Sequence, residues 1–210
     1  MESIILTTTK DYVLVYKPAG YLSEKAENAP SCPPDEIEKI LGKTPYVVHR
    51  LDRNTEGLMV YALTKQAAAE FSRIIADGKL KKCYRALVTP DETLPEEGEM
   101  RDYLYFDRRR DKSFVVGGER KGAKLAVLRY RLGEKTEIKG KSVRAAYIEL
   151  ETGRTHQIRV QFGSRKSPLA GDGKYGSRIN YSGVSLTAVK LSFPWDGKEV
   201  VYSVSEDFSV

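Results

Sequence analysis

The second half of this chain is a run of short apolar segments punctuated by glycine, and that pattern restricts the folds open to it. Residues 125–132, 143–151, 155–162, 186–193 and 199–204 read as strands, with turn signals at Gly133, Gly140, Gly153, Gly163 and Gly197. The first half adds strands at 13–16, 58–63 and 83–88, and Val47-Val48 leads into a polar turn. Helices are few. Residues 65–77 are predicted helical, with Thr64 as cap, Gly78 as stop, and Ala67, Phe71, Ile74 and Ile75 on one face. Asp35 is expected to cap a short helix ending at Leu41, with Glu38 placed for a capping box. Residues 24–35 read as a surface loop, and 94–122, charged and glycine-dotted around Phe114-Val115-Val116, as a hairpin-like surface excursion. Many strands, few helices and no regular alternation between them predict an α+β fold rather than a doubly wound one.

At 210 residues the chain fits one domain or two small lobes, and it has no internal repeat. No apolar run approaches the roughly 18–20 residues of a membrane span. The start, Met1 to Ile5, lacks the basic and apolar regions of a signal peptide. Cys32 and Cys83 form neither a metal-binding pair nor a disulfide framework, so a cytoplasmic location is expected. With His49 and His156 the only histidines, a multi-His metal site is excluded. The net charge of +6 is unevenly spread. Residues 49–89 carry net +4 and residues 122–183 net +8, against net −2 in each remaining stretch. If the two blocks meet in space, they form a positive cleft suited to a phosphate backbone.

Four segments carry candidate chemistry. In His49-Arg50-Leu51-Asp52-Arg53, an acid lies between two arginines in a tight loop. Opposite charge favours the ionised carboxylate, which suits a base or nucleophile at a sugar; taken alone, the pattern better suits a salt bridge closing a turn. In Gly153-Arg154-Thr155-His156-Gln157-Ile158-Arg159-Val160, a strand would direct Thr155, Gln157 and Arg159 to one face. There Arg159 would meet a carboxylate or phosphate, or simply water. In Lys81-Lys82-Cys83-Tyr84-Arg85, Tyr84 is placed to stack on an extruded base or to fill the core. In Gly171-Asp172-Gly173-Lys174-Tyr175-Gly176, the glycines predict a tight loop that is not a P-loop, with Asp172 as turn former or second acid.

Taken together, these segments resemble the RluA-type pseudouridine synthase family. The catalytic-loop motif is present as HRLDRNTEGL at 49–58, followed by KCYRA at 82–86, GRTHQIRV at 153–160 and GDGKYG at 171–176. The opening VLVYKPAG at 13–20 and the close, Leu191 to Pro194 with Asp207-Phe208, are similar as well. The chain departs from the family pattern at Glu56, where most members have Ser, and at Gln161 and Thr187, where His is usual. The small amino-terminal RNA-binding domain of many members has no counterpart here, so grip on RNA is expected from the catalytic domain or a partner.

The resemblance implies one catalytic domain over 1–210, with a mixed, mainly antiparallel central sheet in two lobes, flanking helices and a central cleft. It implies isomerisation of uridine to pseudouridine in ribosomal or transfer RNA, without cofactor or metal, by a monomer. Asp52 would be the essential carboxylate. Tyr84 would stack on the target base and take part in proton removal at carbon five, and Arg159 would pair with Asp52 and orient it. Arg50 would fill the gap left by the extruded nucleotide. Arg53, His49, Lys82, Arg154 and Arg109, the last in the Arg108–Arg110 cluster, are the further expected RNA contacts. A catalytically idle RNA-binding or ribosome-assembly module of the same fold is the competing expectation, distinguished by whether an Asp52→Asn protein retains full function.

Overall fold

A computed structural model of the chain describes residues 3–27 and 32–204. Its elements run β1 (Ile5–Thr8), β2 (Tyr12–Lys17), α1 (Pro33–Leu41), β3 (Tyr46–Val47), β4 (Glu56–Ala62), α2 (Lys65–Ala76), β5 (Lys81–Val88), β6 (Glu97–Asp107), β7 (Lys112–Val116), β8 (Ala123–Ile138), β9 (Lys141–Leu150), α3 (Gln157–Ser164), a short 3₁₀ turn (Gly173–Tyr175), β10 (Leu186–Trp195) and β11 (Lys198–Ser203). The fold is α+β with few helices, as the sequence pattern predicts, and mainly antiparallel, as the resemblance implies. Two compact units divide the chain. Among the described residues, the first holds those through Lys82 and Thr187–Val204; the second is Cys83–Leu186.

In the first unit β4 is the central strand. β2 lies antiparallel to it from Tyr12↔Ala62 to Lys17↔Gly57, and β1 extends that edge. Along β4's other edge, β3 pairs with its end, and β10 runs parallel to its beginning through Thr187↔Glu56 and Ala188↔Gly57. Strand alternation gives Leu58, Val60 and Ala62 a common face, where they pack with Tyr12, Leu14, Leu191 and Phe193 beneath Ala67, Phe71 and Ile74 of α2. Phe71 and Trp195 stack at 4.7 Å between centroids, closing this core. The predicted cap of α2 is present, with Thr64 accepting from the Ala67 amide at 3.1 Å. Helix α1 begins earlier than expected, at Pro33, whose fixed φ suits the first helical position. Asp35 lies within the first turn and accepts from the Cys32 thiol at 3.0 Å, while Glu38 pairs with Lys25 instead of closing a capping box. Residues 28–31 of the expected loop, and Asp207-Phe208, lie outside the described residues.

The second unit is built on an antiparallel ladder, β9–β8–β6–β7. Three expectations change here. Gly133 does not end β8, which continues to Ile138 with a register shift between Leu132 and Lys135. A side chain there would meet the Tyr147 ring at 2.9 Å, so this glycine serves packing rather than a turn. The 94–122 stretch is only partly an excursion: β6 pairs with β8 from Glu97 to Tyr105, and β7 returns as the hairpin's outer strand. Finally, 155–162 is no strand. It is the entry to α3 and the helix itself, whose residues 157–162 are all buried. With every side enclosed, the sequence offers no amphipathic helical period, and the apolar residues at 158, 160 and 162 imitate strand alternation. Among the described residues no helix is long and apolar enough to cross a membrane.

Candidate active site

The loop bearing Asp52 is fixed from both sides within the first unit. Ser23 Oγ donates to the Leu51 carbonyl at 2.7 Å and accepts from the Leu51 amide at 3.0 Å. The Thr55 amide closes a turn onto the Asp52 carbonyl at 3.0 Å. The Gly20 amide donates to the Arg53 carbonyl at 2.8 Å, and Arg53 Nε returns a bond to the Gly20 carbonyl at 3.1 Å. Beneath the loop sits Lys17, with 0% of its surface exposed. Its Nζ donates to the carbonyls of Pro18, Tyr21 and Arg53 at 3.0, 2.9 and 3.3 Å. Burial lowers Lys17 to about 8, partly opposed by the negative charges of Asp52 and Glu56. Asp52 itself is half-buried.

Glu56, at the start of β4, accepts from Thr187 Oγ1 at 3.1 Å. Burial, then Glu56's charge and its hydrogen bond, raise the Tyr16 hydroxyl to about 12. Two departures from the family pattern, Glu56 and Thr187, therefore touch each other. Gly57, which follows, has φ +116°, and a Cβ there would lie 2.3 Å from the Ala188 carbonyl oxygen. The parallel approach of β10 to β4 requires glycine at this point.

His49 directs its ring inward. Nε2 accepts the Val60 amide at 3.2 Å, and Nδ1 is buried without a hydrogen-bond partner among the described residues. Burial, with the Lys82 charge second, lowers its pKa to about 3, leaving a neutral imidazole at physiological pH. Burial likewise lowers the Lys82 ammonium. Arg50 is exposed, and its Nη1 meets Glu24 at 2.7 Å.

Tyr84, Arg109, Arg154 and Arg159 belong to the second unit. Tyr84 is a buried residue of β5, 5% exposed. Arg109 is exposed in the turn between β6 and β7, where its amide donates to Asp107 Oδ1 at 2.9 Å. Arg154 is exposed and donates from Nε to the Leu125 carbonyl at 2.8 Å. The backbone enters α3 through His156 in a left-handed conformation, φ 55°. Gln157 shapes that entry, its Oε1 accepting from Thr152 Oγ1 and the Arg154 amide at 2.8 and 3.0 Å.

The helix alters the sidedness expected of a strand. Residues two apart stand about 200° around a helix, so Gln157 and Arg159 point to different sides. Gln157 faces the Val127 carbonyl, whereas Arg159 meets Asp172 through two parallel bonds, Nε–Oδ2 at 2.7 Å and Nη2–Oδ1 at 2.9 Å. Both side chains are almost fully enclosed. A bidentate pair in such surroundings fixes the guanidinium plane. Asp172, left open in the sequence between turn former and second acid, does two jobs. Its carbonyl accepts from Tyr175 and Ser177 amides, and its carboxylate orients Arg159. Lys17 and the Glu56–Thr187 contact have roles that the sequence reading did not assign. For Lys17 the available signal was a charged residue closing the apolar run Val13–Tyr16.

The family model described as RNA pseudouridylate synthase matches residues 11–164. A tRNA pseudouridine synthase C of Vibrio parahaemolyticus is 29% identical over 231 aligned positions, 99% of this chain and 92% of the relative. A ribosomal large subunit pseudouridine synthase D of Zymomonas mobilis is 33% identical over 168 positions, 74% of this chain and 51% of the relative. The solved structure of human RNA Pseudouridylate Synthase Domain Containing 1 shares the fold, with TM-score 0.83 over 98% of this chain and 84% of that one, at 21% identity. The family model takes in the Asp52 loop, β5 with Tyr84, and α3 with Arg159, and so the chain belongs to the RNA pseudouridylate synthase family, in its RluA-type branch.

Proposed function

We propose that this protein isomerises uridine to pseudouridine within structured RNA, with Asp52 as the essential carboxylate. The supporting observation is the fixation of its loop: the carbonyls of Leu51, Asp52 and Arg53 each accept a hydrogen bond, one of them from buried Lys17. A loop backbone held this firmly preorganises the segment that carries the Asp52 carboxylate for chemistry at a sugar carbon. In the reaction the bond from uracil N1 to ribose C1′ breaks, the base turns, and a bond from C5 to C1′ forms. The proton lost at C5 is balanced by one gained at N1. Positive charge develops on the sugar as the first bond breaks, and a carboxylate beside it lowers the barrier, as in glycosidases.

Tyr84 stacks on the target uracil and takes part in proton removal at C5. Arg159 serves the chemistry, its guanidinium plane fixed by the bidentate pair with Asp172 through Nε and Nη2. Arg50, in an exposed and therefore weakly held pair with Glu24, fills the space of the extruded nucleotide. Arg53, Lys82, Arg154 and Arg109 contact the RNA backbone; His49, also expected among the RNA contacts, instead turns its buried ring to the Val60 amide of β4. Relatives named for tRNA and for ribosomal large subunit RNA leave both RNA classes as candidate substrates.

Mapping pseudouridines by carbodiimide-dependent reverse-transcription stops in total RNA of a deletion strain tests this reading. A site lost on deletion should return with the wild-type gene and stay absent with Asp52→Asn. Restoration by Asp52→Asn would remove the catalytic role of Asp52 and favour an idle RNA-binding module.

A further inference from the structure

The β6–β7 hairpin, which bears Arg108, Arg109 and Arg110 at its turn, is joined to the Arg159 region through Tyr175. Ser113 of β7 donates its amide to the Tyr175 hydroxyl at 2.8 Å and its Oγ to the Thr155 carbonyl at 2.5 Å. Beside it, Lys174 Nζ bonds the carbonyl and the carboxylate of Asp111, each at 2.7 Å. The Tyr175 hydroxyl also lies 3.0 Å from His156 Nδ1, at the entry to α3. A backbone amide can only donate, so the phenol oxygen accepts from Ser113, while the direction of its bond with His156 Nδ1 follows the imidazole tautomer. Burial raises Tyr175 to about 12, which keeps the phenol protonated at physiological pH.

The ring has a separate set of partners. The Arg159 guanidinium carbon and Lys112 Nζ each lie 5.1 Å from its centroid, within cation–π range. Helix α3 approaches the same residue closely, since a Cβ on Gly163 would sit 3.0 Å from the Tyr175 carbonyl oxygen. Tyr175 is only 9% exposed and packs with Leu104 of β6, Ala126 and Val160. One buried side chain thus touches the hairpin through its oxygen and the arginine through its face.

We propose that Tyr175 is a positioning residue with two separable functions: its hydroxyl seats the hairpin that grips RNA, and its ring fixes the guanidinium of Arg159. This rests on the proposed function, in which the hairpin contacts RNA and Arg159 serves the chemistry. Removing the hydroxyl therefore acts mainly on RNA binding, and removing the ring acts on the chemical step as well.

The test compares Tyr175→Phe and Tyr175→Leu in single-turnover tritium release from total RNA of the deletion strain labelled at uridine C5, together with amide exchange. In Tyr175→Phe the half-saturating RNA concentration should rise roughly fivefold, more than the maximal rate falls. The Ser113 amide should exchange faster, because its acceptor is gone. In Tyr175→Leu the maximal rate should drop by roughly tenfold or more as well. Equal losses of maximal rate in both variants, tracking thermal stability with unchanged half-saturation, would reduce Tyr175 to a structural residue and overturn the proposal. Unchanged Ser113 exchange in Tyr175→Phe would overturn it too. If the wild type releases no tritium, the proposed function fails instead, and Ser113 exchange alone decides whether the hydroxyl seats the hairpin.

Discussion

Lys17 carries a charge where no water reaches it, and three backbone carbonyls share its ammonium. Lys17→Met keeps the length and apolar stem but leaves those carbonyls without their donor. The expected loss is roughly 2–4 kcal/mol of stability, with a larger loss of activity because the Arg53 carbonyl adjoins Asp52. The pH dependence has a definite sign. Lys17 titrates at about 8 in the fold against 10.5 ordinarily, so between these values the unfolded chain binds more protons. The stability advantage of wild type over Lys17→Met should therefore grow between about pH 7 and 9.5, toward roughly 3 kcal/mol of gain when titration is complete. Urea midpoints at the two pH values measure it, and a shrinking advantage would contradict the burial of the charge. A sequence displays Lys17 but not its burial, which the strand pairings create. The same holds for Asp172, whose turn chemistry was legible and whose hold on Arg159 was not. Glu56 and Thr187 stand out singly as departures, yet their hydrogen bond joins positions 131 residues apart.

At the scale of elements, legibility followed periodicity. Helix α2 has a buried stripe of Ala67, Phe71 and Ile74, a Thr cap and a glycine after its end, each legible in the chain, whereas Ile75, expected on the same face, is exposed. Helix α3 is enclosed all round, so its sequence has no polar face to mark the helical period. The motif containing Gly57 was legible, but its physical reason appears only when β10 lies parallel beside β4. Gly57→Ala forces a Cβ to 2.3 Å from one Ala188 backbone atom and 2.6 Å from another, at a φ that L residues rarely adopt. Neither neighbour can rotate away as a side chain would. The expected cost is about 3 kcal/mol or more, or roughly 6–12 °C in melting temperature for a chain of this size. A scanning-calorimetry melt within about 2 °C of wild type would mean that β4 and β10 are not held at this spacing.

Across the whole molecule, the proposed chemical residues are divided between the units, Asp52 in the first and Tyr84 and Arg159 in the second. The chain order of the motifs was readable, whereas the division depends on where β10 returns. Charge follows a different map, with net +4 in residues 49–89 and net +8 in residues 122–183. If RNA is held by these blocks rather than by the total charge, position must matter more than count. Arg154→Glu and Lys198→Glu test that directly, since each takes the net charge from +6 to +4 at an exposed residue. Arg154 lies in the +8 block, and Lys198 opens β11 within the carboxyl-terminal stretch of net −2. A cation that meets a phosphate releases a counterion, and that release sets the salt dependence of binding. Without its arginine, Arg154→Glu should flatten the plot of log affinity against log salt by about 0.7–1. Lys198→Glu should leave that slope as it is and shift affinity little. Filter binding of bulk RNA from about 50 to 300 mM KCl resolves such a difference, because affinity changes by orders of magnitude across that range. Equal slopes for the two variants would assign RNA attraction to the diffuse field of the whole molecule and would withdraw Arg154 from the RNA-binding surface.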